Sequence, residues 1–267
     1  MKKIVILTGN ELRHEFFRKK IASSKDINVL QTFCEGASQD NTEHLRFDFK
    51  EKHLLARLQS ENDFFRLFID AVEDKSNAEK ILKGTINNLQ YINTIKSLNP
   101  DLIIVYGASI LKPFFIETFP NKILNVHLGL SPYYRGSATN FWALADSLPE
   151  CVGASFMYID AGIDTGEIIH QVRASINFYD TPSSIGNRLI ADMTNVFEKL
   201  IINFEQIDKP TSVHFNELRR ICRNNDFNEE AVRKVYENFE WMIEKYLLDK
   251  IKRNEAFPII ENRMLLN

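Results

Sequence analysis

Cysteine is scarce in this chain, which holds only Cys34, Cys151 and Cys222 among its 267 residues. The cysteines are odd in number, lie far apart and match no metal-ligand spacing, so neither a disulfide framework nor a metal site is predicted. Isolated, reduced thiols are typical of a cytosolic protein. A chain of this length can bury a large core without disulfides or metal ions to stabilise it.

Long apolar runs and an excess of basic residues are also missing. The first apolar run, Ile4–Leu7, follows two lysines, but it is too short for a signal peptide, and no run approaches transmembrane length. We therefore expect a cytoplasmic protein with no membrane partner. Lysine and arginine total 33 against 36 acidic residues, a net charge of −3. Nucleic-acid binders usually show a basic excess, so nucleic acid is not an expected partner.

Short apolar segments alternate with segments of helical spacing through most of the chain. Continuous apolar runs such as Ile4–Leu7 and Leu102–Tyr106 are typical of strands buried on both faces of a parallel sheet. The alternation predicts an α/β fold, with a mostly parallel sheet and helices on both faces. Further strands are predicted at Ile27–Phe33, Ile123–Val126, Gly153–Ile159 and Glu167–Val172, and helices at 11–22, 62–98, 112–118, 138–145 and 181–204.

Two stretches are organised differently. Residues 36–60 are polar, and loops with a short helix are predicted there. Beyond the segment 208–210, apolar residues such as Val232, Val235 and Phe239 recur at helical spacing. This pattern predicts a small, mainly helical C-terminal region at 209–267, following a larger domain at 1–208.

Polar residues that could take part in catalysis lie where predicted strands end. Ligands of open parallel sheets bind at that edge. Asn125 and His127 are two positions apart on one strand, so their side chains point the same way. An amide beside an imidazole can donate two hydrogen bonds to one developing oxyanion. The turn 160–166 carries Asp164, a carboxylate that could orient the imidazole and accept a proton. Alternatively, Asn125 caps a turn and His127 is a structural histidine.

Two other motifs have weaker support. The triplet Asp164-Thr165-Gly166 also occurs in aspartic proteases, but their chemistry needs two facing copies and the chain has one. Gly9, after the first strand, is not followed by the remaining glycines of a dinucleotide-binding fingerprint. Neither a protease nor an NAD-dependent enzyme is therefore predicted.

Two longer motifs carry a family resemblance. Residues 124–137, Leu-Asn-Val-His-Leu-Gly-Leu-Ser-Pro-Tyr-Tyr-Arg-Gly-Ser, resemble the L-N-x-H-x-x-L-L-P-x-x-R/K-G loop of the folate-dependent formyltransferases, with Ser131 replacing the second leucine. Residues 159–166 resemble the family's D-x-G-x-D-x-G motif. The resemblance covers residues 98–175 well, 1–35 loosely and the C-terminal part hardly at all. The chain is identified on these motifs as a family member with a Rossmann-like core.

The resemblance implies a reaction and its residues. Asn125, His127 and Asp164 match the catalytic triad, and the formyl donor would be N10-formyltetrahydrofolate, bound by the domain at 1–208. Asn125 and a protonated His127 would stabilise the oxyanion, while Asp164 would hold His127 and help remove the proton of the acceptor amine. No metal is implied. The residues implied to lie near the pterin, several through backbone groups, are Gly107, Ser109, Ile110, Leu111, Asp160 and Gly162.

The acceptor amine is less defined. The net charge and the helical tail argue against methionyl-tRNA, and Glu11 argues against the phosphate loop of glycinamide ribonucleotide formyltransferase. The expected partner is a small nucleotide-linked deoxyamino sugar used in surface polysaccharide synthesis. Another amine acceptor, or a relative that binds without turnover, stays an alternative, and so does a homodimer formed through the helical tail. Candidate acceptor contacts are Tyr133 and Tyr134 (alternatively loop packing), Arg135, and Arg13 and His14 (alternatively a solvated helix face).

Overall fold

The computed structural model describes residues 1–36, 49–207 and 218–266. The strands are β1 (Lys2–Gly9), β2 (Ile27–Gly36), β3 (Ala78–Leu82), β4 (Leu102–Tyr106), β5 (Ile123–His127), β6 (Tyr134–Gly136), β7 (Gly153–Tyr158), β8 (Ile168–Arg173) and β9 (Arg220–Cys222). The α-helices are α1 (Leu12–Ala22), α2 (Phe49–Ala71), α3 (Leu89–Leu98), α4 (Pro113–Thr118), α5 (Thr139–Ala145), α6 (Pro182–Ile202), α7 (Glu229–Leu248) and α8 (Lys250–Glu255).

Seven strands form one sheet in the order β3-β2-β1-β4-β5-β7-β8. The first five are parallel, whereas β7 runs antiparallel to β5 and to β8. The predicted mostly parallel sheet is therefore confirmed. Because β4 and β5 are parallel and Val105 pairs with Asn125, the two strands end at the same edge of the sheet.

Both faces of the sheet are buried by helices. On β1, Ile4 and Ile6 pack into the core that includes residues of α1 and α6, while Val5 and Leu7 pack into the core that includes residues of α3 and α4. The continuous apolar sequence of this strand follows from its burial on both sides. Thr181 caps α6 by accepting a hydrogen bond from the backbone N–H of Ser184.

The helix predicted at 62–98 is wrong. Helix α2 begins at Phe49 and ends at Ala71, the edge strand β3 follows, and α3 begins at Leu89. Asn77 has a left-handed backbone, with φ of 48°, and its amide donates to the carbonyl of Val29 in β2. This contact starts the pairing of β3 with β2, and that pairing outweighs the helical spacing of the apolar residues. Residues 37–48 of the predicted loop stretch lie outside the described residues.

The C-terminal residues pack onto the same core as the sheet. Val235, Phe239 and Ile243 of α7 are buried in the cluster that also contains Phe156 of β7. The predicted helical stripe is confirmed, whereas the short strand β9, which pairs with β6, was not predicted. The predicted domain boundary at 208/209 lies outside the described residues and stays a prediction.

Within the described residues, no helix combines the length and the apolar character needed to cross a membrane. The same part of the chain contains no group of three or more histidine, cysteine, aspartate or glutamate side chains arranged to hold a metal ion.

Candidate active site

A cleft lies beside the end of β4, the middle of β5 and the last residues of β7. Its walls are formed by Val105 and Asn125 on the strands, by residues 108–111 after β4, and by residues 157–160 and 162–166. The edge of the sheet predicted to carry the chemistry therefore contains a concave site of the kind that binds small molecules.

Asn125 presents its side chain to this cleft. It lies on β5 between Val105 of β4 and Met157 of β7, so the backbone on both sides fixes its position. The residue is half-buried, and its amide has no hydrogen-bond partner among the described residues. An amide held by a sheet and left unpaired can donate to a ligand without first breaking an internal bond.

The turn after β7 folds back so that Asp164 reaches His127 at the end of β5. The carboxylate of Asp160 accepts hydrogen bonds from the Gly162 N–H at 3.0 Å and from the Thr165 hydroxyl at 2.7 Å. A side chain at Gly162 would collide with Thr165, and one at Gly166 would collide with the carbonyl of Tyr158. Asp160, implied as a cofactor contact, therefore also holds the turn together, and Gly162 lies in the cleft wall.

Asp164 lies in the cleft wall and faces His127. Its Oδ1 is 3.4 Å from Nδ1 of His127, and its Oδ2 accepts a hydrogen bond from the Gly136 N–H at 2.8 Å. On the other side of the ring, Nε2 of His127 is 3.4 Å from the hydroxyl of Thr139. A side chain at Gly129 would collide with this ring, so the imidazole is closely packed.

The structure thus brings the three predicted catalytic residues together, but in two layers. Asn125 and Asp164 line the cleft, whereas His127 lies behind Asp164 and does not line it. Burial lowers the pKa of His127 below its ordinary value, although Asp164 and a hydrogen bond to the backbone of Tyr134 act to raise it. Burial therefore favours the neutral imidazole, whereas the resemblance implied a protonated one.

The loop after β4 supplies the opposite wall. Gly107 has a φ of 70°, and a side chain there would collide with His14, so Gly107 is needed for the turn; it does not line the cleft. The N–H of Ser109 donates to Glu35 at 2.6 Å, and the carbonyl of Ile110 accepts from Asn87 at 3.1 Å. Among the described residues, the backbone N–H and carbonyl of Leu111 have no hydrogen-bond partner.

Glu35 was missed by sequence reasoning. Its carboxylate, which is buried at the end of β2, accepts from the N–H groups of Ser109 at 2.6 Å and Gly84 at 2.8 Å. It therefore joins the loops that follow β3 and β4 and fixes the wall of the cleft. Its place at a strand end was the available signal, but β3, which brings Gly84 close, had been predicted as helix.

Two of the predicted acceptor contacts are packed inside the protein. Tyr133 and Tyr134 are 0% and 1% exposed, and their hydroxyls donate to the carbonyl of Pro258 and to the carboxylate of Asp146. Fully buried tyrosines whose hydroxyls are already bonded cannot contact an acceptor without leaving the core. The structure corrects this expectation in favour of the alternative, loop packing.

Of the other predicted acceptor contacts, His14 and Arg13 are paired with side chains of the protein, whereas Arg135 forms no ion pair with a described residue. His14 is buried beside the ring of Tyr106, with Nδ1 2.5 Å from Glu11, so it caps its own helix instead of facing solvent or the cleft. Arg13 forms an ion pair with Glu61 at 3.0 Å. Arg135 is half-buried, forms no ion pair with a described residue, and its buried Nε has no hydrogen-bond partner in that part of the chain.

Comparisons with known proteins agree with this geometry. Residues 48–201, more than half of the chain, match the family described as formyl transferase. The chain belongs to the formyl transferase family. Among curated family members, it is 34% identical over 160 residues to methionyl-tRNA formyltransferase of Desulforamulus reducens, covering 58% of this chain and 46% of that protein. The chain spans about half the length of the curated relatives it matches.

Solved structures of the family share the fold. A sugar N-formyltransferase from a Shewanella species has a TM-score of 0.57 at 14% identity, covering 85% of this chain and 78% of that one. Phosphoribosylglycinamide formyltransferase from Anaplasma phagocytophilum has a TM-score of 0.56 at 19% identity, covering 78% of this chain and 89% of that one. These identities are low, so the likeness establishes the formyltransferase fold and leaves the acceptor open.

Proposed function

We propose that this chain transfers a formyl group from N10-formyltetrahydrofolate to an amine, with Asn125, Asp164 and His127 as the catalytic residues. The observation that carries the proposal is the position of Asp164, which lies in the cleft wall with Asn125 and contacts a buried His127 on its far side. A carboxylate backed by an imidazole and placed beside a free amide donor is suited to acyl transfer.

The cleft fits the flat ring of a folate. Val105, Leu111 and Met157 supply apolar wall, and the unpaired N–H and carbonyl of Leu111 can bond to the edge of a heteroaromatic ring. Ser109 and Ile110 hold the loop through the hydrogen bonds to Glu35 and Asn87, so the wall is preformed. When bound, the folate would supply the formyl carbon that the acceptor amine attacks.

The residues of the chain have separate tasks in this reaction. Asn125 would donate its amide N–H to the formyl oxygen as negative charge develops there. Asp164 would accept the proton that the amine loses as its new C–N bond forms, and this proton would pass to N10 of the folate as the bond from N10 to the formyl carbon breaks and tetrahydrofolate leaves. The neutral His127, 3.4 Å from Asp164, holds this carboxylate and can share the proton. Because burial lowers the pKa of His127, the pair starts the reaction with a free proton site.

For the acceptor, we favour a nucleotide-linked deoxyamino sugar. Arg135 supports this choice because it forms no ion pair with a described residue and stands on the segment that also positions Asp164. A guanidinium in such a place is suited to a diphosphate. The net charge of −3 opposes a polyanionic acceptor such as tRNA. Methionyl-tRNA remains the second candidate because a curated relative at 34% identity carries that name.

A direct assay separates these functions. The protein is incubated with N10-formyltetrahydrofolate and, in parallel, nucleotide-linked 4-aminodideoxyhexoses, methionyl-tRNA or glycinamide ribonucleotide, and the formylated product is detected by mass spectrometry. We expect product with an amino sugar and its loss in Asp164→Asn. Product with methionyl-tRNA alone would support the second candidate, and no product with any amine would contradict formyl transfer.

A further inference from the structure

Strand β6 contacts both members of the Asp164–His127 pair. The N–H of Gly136 donates to Asp164 at 2.8 Å, and the backbone of Tyr134 lies beside the ring of His127 and acts to raise its pKa. The spacing between carboxylate and imidazole therefore depends on where the backbone of this three-residue strand lies.

The strand that pairs with β6 comes from the C-terminal part of the chain. Strand β9 runs parallel to β6, with Gly136 opposite Cys222, and the carbonyl of Cys222 accepts from the Ser137 N–H at 3.0 Å. Gly136 has a φ of 96°, and a side chain there would collide with the carbonyl of Cys222. Among the described residues, β6 has no other strand partner, so β9 determines its path.

Arg220 fastens β9 to the domain that carries the cleft. Its guanidinium lies 3.6 Å from the centre of the Trp142 ring and 3.4 Å from the carboxylate of Asp146. Asp146 also accepts from the hydroxyl of Tyr134, at 3.1 Å. One carboxylate thus joins a side chain of β9 to a side chain of β6, and the ring beneath restricts the guanidinium further.

We propose that the C-terminal strand β9 sets the geometry of the Asp164–His127 pair, with Arg220 and Gly136 as positioning residues. The catalytic meaning of this role rests on the proposed function, whereas the structural coupling does not. Arg220 itself has no contact with Asp164 or His127 among the described residues, so it acts through Asp146, Tyr134 and the backbone of β6.

The test compares Arg220→Gln with Arg223→Gln in the full chain. Arg223 lies directly after β9 and is exposed. Arg223→Gln therefore makes the same substitution outside the contacts that Arg220 forms with Trp142 and Asp146. The pKa of the His127 ring is measured by NMR titration, and kcat and KM are measured with the acceptor that the formyl-transfer assay identifies. Asp164 and the Tyr134 backbone both raise this pKa, and Thr139 faces the other ring nitrogen, so displacing Asp164 lowers it.

We expect Arg220→Gln to lower kcat about tenfold with KM for both substrates within about twofold. We also expect it to shift the His127 titration toward that of Asp164→Asn. Arg220→Lys should restore part of both readouts, and Arg223→Gln should match the wild type. A wild-type His127 titration in a folded Arg220→Gln protein would overturn the proposal.

A failure to fold and a failure of the proposed function can each be distinguished from a failure of the coupling. If Arg220→Gln fails to fold, Asp146→Asn tests the same contacts between Arg220, Asp146 and Tyr134 with the same readouts. An unchanged His127 titration in that variant would also overturn the proposal. If the wild type transfers no formyl group but the titration still shifts, the proposed function fails while the coupling of β9 to the Asp164–His127 pair stands.

Discussion

The part of the cleft wall formed by Asn125 and Asp164 and the segment of residues 131–137 differ in the direction of their side chains. In the wall, Asn125 and Asp164 face the cleft. In the second region, Tyr133 and Tyr134 point into the core, and the backbone N–H of Gly136 instead donates to Asp164. Both regions belong to matching motifs, so a motif match identifies a position in the fold but not the direction of each side chain.

The physical reason for the difference is the range of the contacts involved. The direction of Asn125 follows from its place on β5, which the neighbouring strands fix. The direction of Tyr133 depends on Pro258, more than one hundred positions further along the chain. Residues whose placement is determined by such distant packing cannot be assigned from a local pattern.

The largest effect that tests this comparison is expected at Asn125. Asn125→Ala should lower kcat about 100- to 1,000-fold, because an oxyanion donor of this kind is lost. Steady-state kinetics with the acceptor that the formyl-transfer assay identifies measures this loss. Asn88→Ala, the same change at an exposed residue outside the cleft, serves as the control and should leave kcat unchanged. A loss below tenfold in Asn125→Ala would remove Asn125 from the catalytic role.

A smaller effect is expected at Glu35, which supports the wall without lining it. Glu35→Gln should weaken binding of a folate analogue about tenfold, because the new amide group cannot accept the N–H groups of both Ser109 and Gly84. Isothermal titration calorimetry measures this affinity. Glu79→Gln, at an exposed position on β3, is the matched control. Equal affinities in the two variants would show that Glu35 does not hold the wall.

His170 is a buried histidine outside the cleft, and its burial should make the stability of the fold depend on pH. Burial lowers its pKa to about 4, and its Nδ1 accepts the N–H of Asn262 at 2.9 Å. Because the unfolded chain binds a proton near the ordinary pKa of 6.5, acidification from that value towards 4 should destabilise the fold. We expect His170 to account for about 2 kcal/mol of the stability lost between about pH 7 and pH 5.

Denaturant unfolding at both pH values measures this loss. His170→Asn keeps an acceptor for the Asn262 N–H while removing the titrating group, so its stability should depend less on pH. An unchanged pH dependence in this variant would mean that His170 is protonated equally in the folded and unfolded states.

The smallest effect on catalysis is expected at Tyr133. Tyr133→Phe should cost about 1 kcal/mol of stability, because it removes the hydrogen bond to Pro258, while KM for the acceptor stays unchanged. Tyr179→Phe, at a fully exposed tyrosine, is the control for stability. A large rise in KM in Tyr133→Phe would restore the tyrosine as an acceptor contact and break the contrast between the two regions.

Much of the fold could be predicted from the sequence because burial and spacing are local signals. The apolar run of β1 and the helix predicted at 181–204, observed as α6, are examples. The edge strand β3 and the short strand β9 could not, since each forms by pairing with a distant segment. In the site, the sequence pointed to Asp164 and His127, but the lowered pKa of His127 follows from its burial in the folded chain.

The central claim is that Asn125 and Asp164 face the formyl group of a folate bound in this cleft. A crystal structure with a non-transferring N10-formyl folate analogue tests it most directly. We predict the formyl oxygen within about 3 Å of the Asn125 amide nitrogen, with Asp164 on the side left open for the amine. An analogue bound elsewhere, or a formyl group turned away from Asn125, would contradict the account.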